Sequence, residues 1–165
     1  MAKSLQAHRR CWTSGYLSFS IHFTCYPACM LTVCVRNMRL LTSLPTPLLS
    51  LASAQLTGRG RGGNIWLSPP GCLQFSLLLR VPLSALPAQK IVFVQYLFAL
   101  AVAEACRSEQ VLGSEGSRVR IKWPNDIYAI ARDGEKKKIG GILVNTSFGS
   151  GKVELVIGAS SFRRS

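Results

Sequence analysis

A chain of 165 residues with 48% hydrophobic and 16% charged residues can fold around one core, which excludes a disordered polar protein. The 20 Lys and Arg residues outnumber 7 acids and give a net charge of +13, which favours polyanionic partners such as nucleic acid, anionic membranes or phosphorylated small molecules. No acid precedes Glu104, so the imbalance reflects missing acids more than a dense basic stripe.

Residues 1–50 show no sustained period of two or of 3.6, and we predict a leader without a recognisable fold, disordered or unrelated to the rest. Residues 11–35 carry no Lys, Arg, Asp or Glu, but Pro27 and several polar side chains interrupt the apolar run that a spanning helix requires. Arg9 and Arg10 ahead of this stretch leave a secretory or organelle-targeting segment as alternatives. We expect a cytoplasmic protein, with mitochondrial targeting as the alternative.

The cysteine pattern does not predict a metal site. The six cysteines are Cys11, Cys25, Cys29, Cys34, Cys72 and Cys106. Their spacing lacks the paired C-x2-C of a zinc site, and His8 and His22 lie too far apart to supply the usual histidine pair. We therefore predict reduced thiols, with disulfides as the next alternative and no bound metal.

Regular elements are recognisable after residue 50, and residues 51–158 are predicted to form one domain, followed by a tail at 159–165. Apolar or alternating runs predict strands at 65–68, 73–83, 118–123, 139–148 and 152–159.

One long helix is predicted at 88–108, where an apolar run is interrupted only by Gln95 and Glu104. We expect this helix to be buried and too short to span a bilayer. A charged turn around Asp133 and Gly134 predicts a hairpin. Mixed strands with one long helix predict an α/β or α+β domain, with a mixed sheet backed by helices.

The first candidate site is the basic, glycine-rich stretch GRGRGG at 58–63. Its glycines allow a ligand to approach the backbone N–H groups, and Arg59 and Arg61 offer planar donors for carboxylate or phosphate. It is not a Walker loop, because G-x4-G-K-[ST] is absent, and it does not lead from a strand into a helix as a Rossmann turn does. On its residues alone it could bind an anion, bind RNA, or serve as a flexible linker.

The second candidate site is RIKWPNDIYAI at 120–130. Pro124 biases Trp123 towards an extended conformation, so the strand is predicted to end there and the chain to turn at Asn125 and Asp126. Lys122 and Asp126 are predicted to lie near one another at this strand end. The alternative is an ordinary strand terminus with an Asx turn and a surface ion pair of little energetic value.

The third candidate is KKKIGGILV at 136–144. Three consecutive lysines can form a solvated turn, but Lys138 immediately precedes a strand that begins with Ile139, Gly140 and Gly141. Paired glycines weaken a strand unless another backbone or a ligand must come close. Lys138 is therefore a candidate cation for a phosphate or a carboxylate.

In this order, GRGRGGNIWLSPPG, KWPNDIY and KIGGILV resemble the motifs of the biotin–protein ligases, also called holocarboxylase synthetases, of the eukaryotic type. The resemblance covers residues 54–158 and implies an incomplete class II synthetase-like biotin/lipoate ligase catalytic fold. It implies biotin and ATP as substrates, Mg²⁺ as the counter-ion of ATP, and biotin carboxyl carrier domains of carboxylases as acceptors. We expect neither nucleic acid nor a membrane as a partner.

The resemblance also implies roles for individual residues. Lys138 would bridge the biotin carboxylate and the α-phosphate, Asp126 would assist the incoming lysine or the magnesium shell, and Arg61 would fold over the adenylate. The residues that would bind biotin or biotinyl-5′-AMP are Gln55, Gly58, Arg59, Gly60, Arg61, Gly62, Gly63, Trp66, Lys122, Asn125 and Gly141.

Two departures from the family pattern affect the expected activity. The Ser/Thr-Asn segment that grips the ureido ring has no counterpart in MLTVCVRNMR at 30–39, and the G-x-G-x-N segment that holds adenine is replaced after Gly158. We also expect the sheet to leave an apolar edge unpaired at 154–158. A catalytically inactive ligase remnant and a basic nucleic-acid-binding protein are therefore the alternatives.

Overall fold

The computed structural model describes residues 8–14, 17–26, 42–52, 55–59, 64–68 and 71–161. The strands within these ranges are β1 (His8–Ser14), β2 (Leu17–Tyr26), β3 (Leu48–Ala52), β4 (Gln55–Arg59), β5 (Ile65–Ser68), β6 (Gln74–Pro82), β7 (Val119–Lys122), β8 (Asp126–Ile130), β9 (Lys136–Gly149) and β10 (Lys152–Ser161). The helical segments are a 3₁₀ helix (Ala88–Phe93), the α-helix α1 (Val94–Arg107) and a second 3₁₀ helix (Gly113–Arg118).

Eight strands form one sheet in the order β1-β2-β3-β6-β10-β9-β8-β7, and β4 and β5 form a separate antiparallel hairpin. Strands β2 and β3 are parallel, whereas the other neighbours in the large sheet are antiparallel. The predicted mixed sheet backed by a helix is confirmed. The turn at Asp133 and Gly134 is confirmed as well, because it joins the paired strands β8 and β9.

The main core lies between α1 and one face of the sheet. Ala99 and Ala103 are the buried residues of α1, and their small side chains let the helix approach the strands closely. The sheet contributes Val119, Ile127, Ile142, Val153, Leu155 and Ile157 to this core. Burial of their apolar surface, at about 25 cal/mol per Å², holds the helix on the sheet.

The opposite face of the sheet is more polar. It holds a small cluster of Leu48, Leu78 and Val156, next to an ion pair in which Arg80 Nε lies 2.6 Å from Glu154 Oε1. Side chains alternate along a strand, so the residues on either side of each core position point to this opposite face. The candidate site lies on this face.

Helix α1 is less buried than the sequence predicts. Leu97 and Leu100 are 60% and 40% exposed, so the apolar residues around the helix do not all face the sheet. The expectation that this helix is too short to span a bilayer is also wrong. The stretch Ala88–Arg107 has 20 residues and a mean hydropathy of 1.4, which by length and composition alone makes it a candidate membrane span.

Strand β10 lies inside the sheet. Residues 154–158 pair with β6 on one side and with β9 on the other, so the predicted unpaired edge is wrong. The reason is that β6, a strand from much earlier in the chain, pairs with the edge of β10 that β9 leaves open. Strand β10 also continues to Ser161, beyond the domain end predicted at residue 158.

Two strands lie where the sequence analysis predicts a leader without a recognisable fold. The backbones of β1 and β2 pair with one another, and β2 runs beside β3. The stretch LSFSIHFTC at 17–25 alternates apolar and polar residues, a period of two that the interpretation of residues 1–50 overlooks. Residues 1–7, 15–16, 27–41 and 162–165 lie outside the described residues. They include residues 30–39, where the family pattern would have the segment that grips the ureido ring.

Candidate active site

The KWPND turn joins β7 to β8 at the end of the large sheet. Lys122 and Asp126 are opposite one another in the register. Strand β7 ends at Lys122, one residue before the predicted end at Trp123, and Asp126 belongs to β8 and not to the turn. The peptide bond between Trp123 and Pro124 is cis. The backbone N–H of Ile142 donates to the carbonyl oxygen of Asn125 at 2.9 Å, which anchors the turn against β9.

A β-bulge in β9 brings the catalytic candidates onto one face. Asp126 is opposite Gly141 and Tyr128 is opposite Lys138, so β9 contains one residue more than β8 between these two pairs. The extra residue, Ile139, packs into the core beneath α1. Without the bulge, strict alternation would place Lys138 and Gly141 on opposite faces of the sheet. The bulge therefore moves Lys138 to the face that carries Asp126 and Gly141.

Lys138 is held by two partners. Its Nζ atom lies 2.7 Å from Asp126 Oδ1 and 5.0 Å from the ring centroid of Trp66, which arrives on the β4–β5 hairpin. The two charged side chains are 35% and 23% exposed, so a ligand can reach the pair. The ammonium of Lys122 instead lies 5.6 Å from the ring centroid of Tyr128. The predicted proximity of Lys122 and Asp126 is confirmed by their register, but the ion pair of Asp126 is made by Lys138.

Gly141 lies beside this ion pair. A Cβ atom placed on Gly141 would lie 3.7 Å from Cη2 of Trp66 and 3.8 Å from Oδ1 of Asp126. These are ordinary van der Waals distances, so close packing within the protein does not by itself require glycine here. Glycine is the residue that a ligand approaching the strand backbone at this position would require.

The glycine-rich loop begins above this space. Trp66 pairs with Gly58 across the hairpin, and Ser68 pairs with Gln55. The Ser68 hydroxyl lies 2.9 Å from the Ser160 hydroxyl, which docks the hairpin onto β10. Only the backbone is described for Gln55, Gly58 and Arg59, and the loop residues Gly60, Arg61, Gly62 and Gly63 lie outside the described residues.

Of the residues predicted for the site, the structure brings together Lys138, Asp126, Gly141 and Trp66. The backbone carbonyl of Asn125 anchors the turn to β9. Lys122 is the last residue of β7 and lies opposite Asp126.

Three residues on the same face were not predicted, namely Tyr128, Ser160 and Gln74. Gln74 could have been found from its sequence, because Gln74 and Ser76 alternate with Phe75 and Leu77 along β6.

The chemistry of this cluster suits an anionic ligand. Lys138 can exchange the Asp126 carboxylate for a carboxylate or phosphate oxygen of a ligand, since charge-assisted hydrogen bonds to these groups are similar in kind. Across the described ranges, no three His, Cys, Asp or Glu side chains cluster closely enough to hold a metal ion. Cys72 and Cys106 are free, and burial raises the pKa of the Cys106 thiol.

The mixed sheet and its backing helix form a class II synthetase-like fold. Residues 31–161 match the model of the Biotin/lipoate A/B protein ligase family, and the chain belongs to this family. The family resemblance of the three motifs is thereby confirmed. The match begins upstream of the predicted domain start at 51 and includes residues 31–39, which the motifs alone do not connect to the family.

Two curated relatives illustrate this membership. The chain is 43% identical over 128 residues to biotin–protein ligase of Homo sapiens, covering 74% of this chain and 17% of the human protein. It is 37% identical over 134 residues to biotin–protein ligase of Schizosaccharomyces pombe, covering 77% of this chain and 21% of the yeast protein. The chain therefore spans only about a fifth of the length of these relatives.

Solved structures have the same fold. Biotin acetyl coenzyme A carboxylase synthetase from Helicobacter pylori with bound biotinylated ATP superposes with a TM-score of 0.60 at 29% identity, covering 87% of this chain and 61% of that one. Biotin protein ligase from Leishmania major in complex with biotin gives a TM-score of 0.60 at 29% identity, covering 86% of this chain and 55% of that one.

Proposed function

We propose that this chain carries out the ATP-dependent activation of biotin as biotinyl-5′-AMP and the transfer of biotin to a lysine of biotin-dependent carboxylases. The observation that carries this proposal is the ammonium of Lys138, held 2.7 Å from Asp126 and against Trp66, beside Gly141, which has no side chain. The relatives named biotin–protein ligase and the structural neighbours that hold biotin or biotinylated ATP support the choice of substrates.

In the first step a biotin carboxylate oxygen attacks the α-phosphorus of ATP. An O–P bond forms, the bond to the β-phosphate oxygen breaks, and the electron pair leaves with pyrophosphate. Negative charge gathers on the oxygens between the two reactants, where Lys138 would neutralise it. A single preorganised donor at such a position contributes about 10²–10³ in rate.

In the second step the amine of an acceptor lysine attacks the acyl carbon of the adenylate. A C–N bond forms, the C–O bond breaks, the amine loses a proton, and AMP leaves. Asp126 lies next to Lys138 and would orient the incoming amine or complete the shell of the Mg²⁺ that accompanies ATP. Asp126 is a single carboxylate, so Mg²⁺ here would rely mainly on nucleotide phosphates and water, as this ion commonly does.

The remaining predicted residues surround these two reactants in the proposal. The glycine-rich loop would close over the adenylate, with its backbone N–H groups and arginines directed at the anion. The residues assigned to this task are Gln55, Gly58, Arg59, Gly60, Arg61, Gly62 and Gly63, with Lys122 and Asn125 meeting the nucleotide phosphates. Support comes from the pairing of Gly58 with Trp66, which places the start of the loop beside Lys138.

Two assays on the purified chain test this function. Biotin-dependent exchange of pyrophosphate into ATP reports adenylation, and label transfer to a biotin carboxyl carrier domain reports the second step. We expect both activities to depend on biotin, ATP and Mg²⁺. Biotin binding without exchange would identify an inactive ligase remnant instead. Affinity for RNA that falls steeply with salt, without biotin binding, would favour the nucleic-acid alternative.

A further inference from the structure

Gln74 is a buried polar residue whose side chain is only half satisfied. It is 3% exposed, and its Nε2 donates to the backbone carbonyl of Ser68 at 3.3 Å. The other end of the amide, Oε1, is buried and has no hydrogen-bond partner among the residues that the structure describes. A carbonyl oxygen can only accept, so the nitrogen must face Ser68 and the open atom is the acceptor.

The register places Gln74 in line with the candidate site. Gln74 is opposite Ser160, Ser160 is opposite Gly141, and Gly141 is opposite Asp126. These four residues form one row across β6, β10, β9 and β8, on the face that carries Lys138. With neighbouring strands about 4.8 Å apart, the backbone of Gln74 lies about 10 Å from that of Gly141 and about 14 Å from that of Asp126.

The β4–β5 hairpin packs against this row and contacts several of its residues. Ser68, whose carbonyl holds the Gln74 amide, also contacts Ser160 through its hydroxyl. Ser68 pairs across the hairpin with Gln55, which the family resemblance assigns to biotin binding. Trp66, two residues before Ser68, lies over Gly141 and Lys138. The hairpin therefore covers the row from the ion pair towards Gln74.

We propose that Gln74 is a specificity-determining residue, whose Oε1 accepts a hydrogen bond from an N–H group at the end of the substrate remote from the carboxylate. This inference rests on the proposed function and deepens it. Biotin has its carboxylate at one end and a cyclic urea with N–H donors at the other. An acid such as lipoic acid ends instead in a dithiolane ring, which has no donor.

The physical reason for selectivity is the cost of an unpaired buried acceptor. Burying an amide oxygen without a partner is unfavourable, and a fold retains such an atom most readily where a ligand satisfies it. A substrate that lacks the donor leaves Oε1 unpaired in the complex. Sites built to hydrogen-bond a substrate reject analogues without the matching group far more strongly than apolar pockets do. Gln74 would thus favour a urea-bearing acid over an apolar one.

The test is calorimetric titration of the purified 165-residue chain with biotin, with lipoic acid and with biotin methylated on either ureido nitrogen. Gln74→Met removes the acceptor while keeping the length of the side chain, and Gln95→Met on α1 is the matched control. We expect Gln74→Met to weaken biotin binding by about tenfold to a hundredfold and to leave lipoic acid unchanged. Methylation of the recognised nitrogen should weaken binding to the parent chain but add little in Gln74→Met.

A second variant separates binding from folding. Gln74→Glu, once protonated, can donate to Ser68 and still present an acceptor oxygen, so it should retain most of the biotin affinity that Gln74→Met loses. Equal biotin affinity in the parent chain and in Gln74→Met, or equal losses for both acids, would overturn this inference and leave the proposed function standing. Absence of biotin binding to the parent chain would overturn the proposed function and this inference with it.

Discussion

At the scale of single residues, the run of three lysines shows how neighbours with the same side chain differ in their partners. Lys137 pairs with Glu135 at 2.6 Å, whereas Lys138 pairs with Asp126 at 2.7 Å and lies over Trp66. The difference comes from the bulge at Ile139, which directs Lys138 to the site face. The sequence selects Lys138 as the residue before a strand predicted at 139–148, whereas in the structure Lys138 lies within β9, and the bulge is the geometric reason for its position.

Lys138→Ala should therefore remove activity that Lys136→Ala preserves. Without the ammonium, charge that develops between the carboxylate and the α-phosphate is left unneutralised, and we expect biotin-dependent ATP–pyrophosphate exchange to fall by at least about a hundredfold. Lys136 has the same side chain and is exposed, so its variant is the matched control. Similar losses in both variants would contradict the assignment of Lys138.

Gly141→Ala should impair ligand binding without loss of stability. The added methyl group meets Trp66 and Asp126 at ordinary contact distances, but it occupies the space proposed for biotin. We expect biotin affinity to fall roughly tenfold or more, because overpacking a filled site costs about 1–3 kcal/mol.

Gly149→Ala is the control for this variant, since a Cβ there meets nothing within 4 Å. Calorimetry with biotin and thermal unfolding of the free proteins measure the two quantities. Unchanged biotin affinity in Gly141→Ala would place the ligand elsewhere.

At the scale of elements, the second 3₁₀ helix connects α1 to β7 and so positions the KWPND turn. Its packing depends on Gly116, which is buried against the end of α1. A Cβ atom on Gly116 would lie 2.2 Å from the carbonyl oxygen of Cys106 and 2.6 Å from Cα of Arg107. These neighbours are backbone atoms, so a side chain at this position would force the two helical segments apart.

Gly116→Ala should consequently destabilise the fold. We expect the free energy of unfolding to fall by about 1–3 kcal/mol or more, because the clash can be relieved only by moving backbone. Ser114→Ala, at an exposed position of the same segment, should stay within about 0.5 kcal/mol of the parent chain. Urea unfolding followed by circular dichroism measures the free energy of unfolding of both variants. Equal stabilities of Gly116→Ala and Ser114→Ala would show that α1 and the second 3₁₀ helix can move apart without destabilising the fold.

At the scale of the whole molecule, Arg80 and Glu154 join distant parts of the chain. Arg80 Nε donates to Glu154 Oε1 at 2.6 Å across β6 and β10, and Arg80 Nη1 donates to the carbonyl of Leu44 at 3.0 Å. Ser147 on β9 donates to the second oxygen of Glu154 at 3.3 Å. This network ties the segment before β3 to the centre of the sheet.

Glu154→Ala should be much more costly than a change at an exposed ion pair. It leaves the Arg80 guanidinium, 19% exposed, without its carboxylate, and breaking a buried pair on one side costs about 3–5 kcal/mol. Glu104→Ala breaks the exposed pair with Arg107, and we expect about 0–1 kcal/mol. Thermal or urea unfolding compares the two. A loss in Glu154→Ala no larger than that in Glu104→Ala would show that water solvates Arg80.

The elements determined by the sequence alone are those whose causes are local. Turn chemistry located the hairpin at Asp133 and Gly134, where Gly134 has a φ of 85°, and apolar periodicity located α1 and the strands β5, β6, β7, β9 and β10 but not β8. The three motifs likewise identified the family and chose Lys138, Asp126, Trp66 and Gly141, because residue types at fixed spacing reflect the chemistry that they perform.

The tertiary structure alone decided which strands are neighbours and which side chains meet. Pairing of β10 with β6 joins segments separated by the whole of α1, so no local pattern could place residues 154–158 inside the sheet. Likewise, the bulge at Ile139 depends on the register between β8 and β9, and that register assigns the Asp126 ion pair to Lys138 and not to Lys122. A one-residue change in register reverses the face of every side chain beyond it, and only the packed sheet specifies that register.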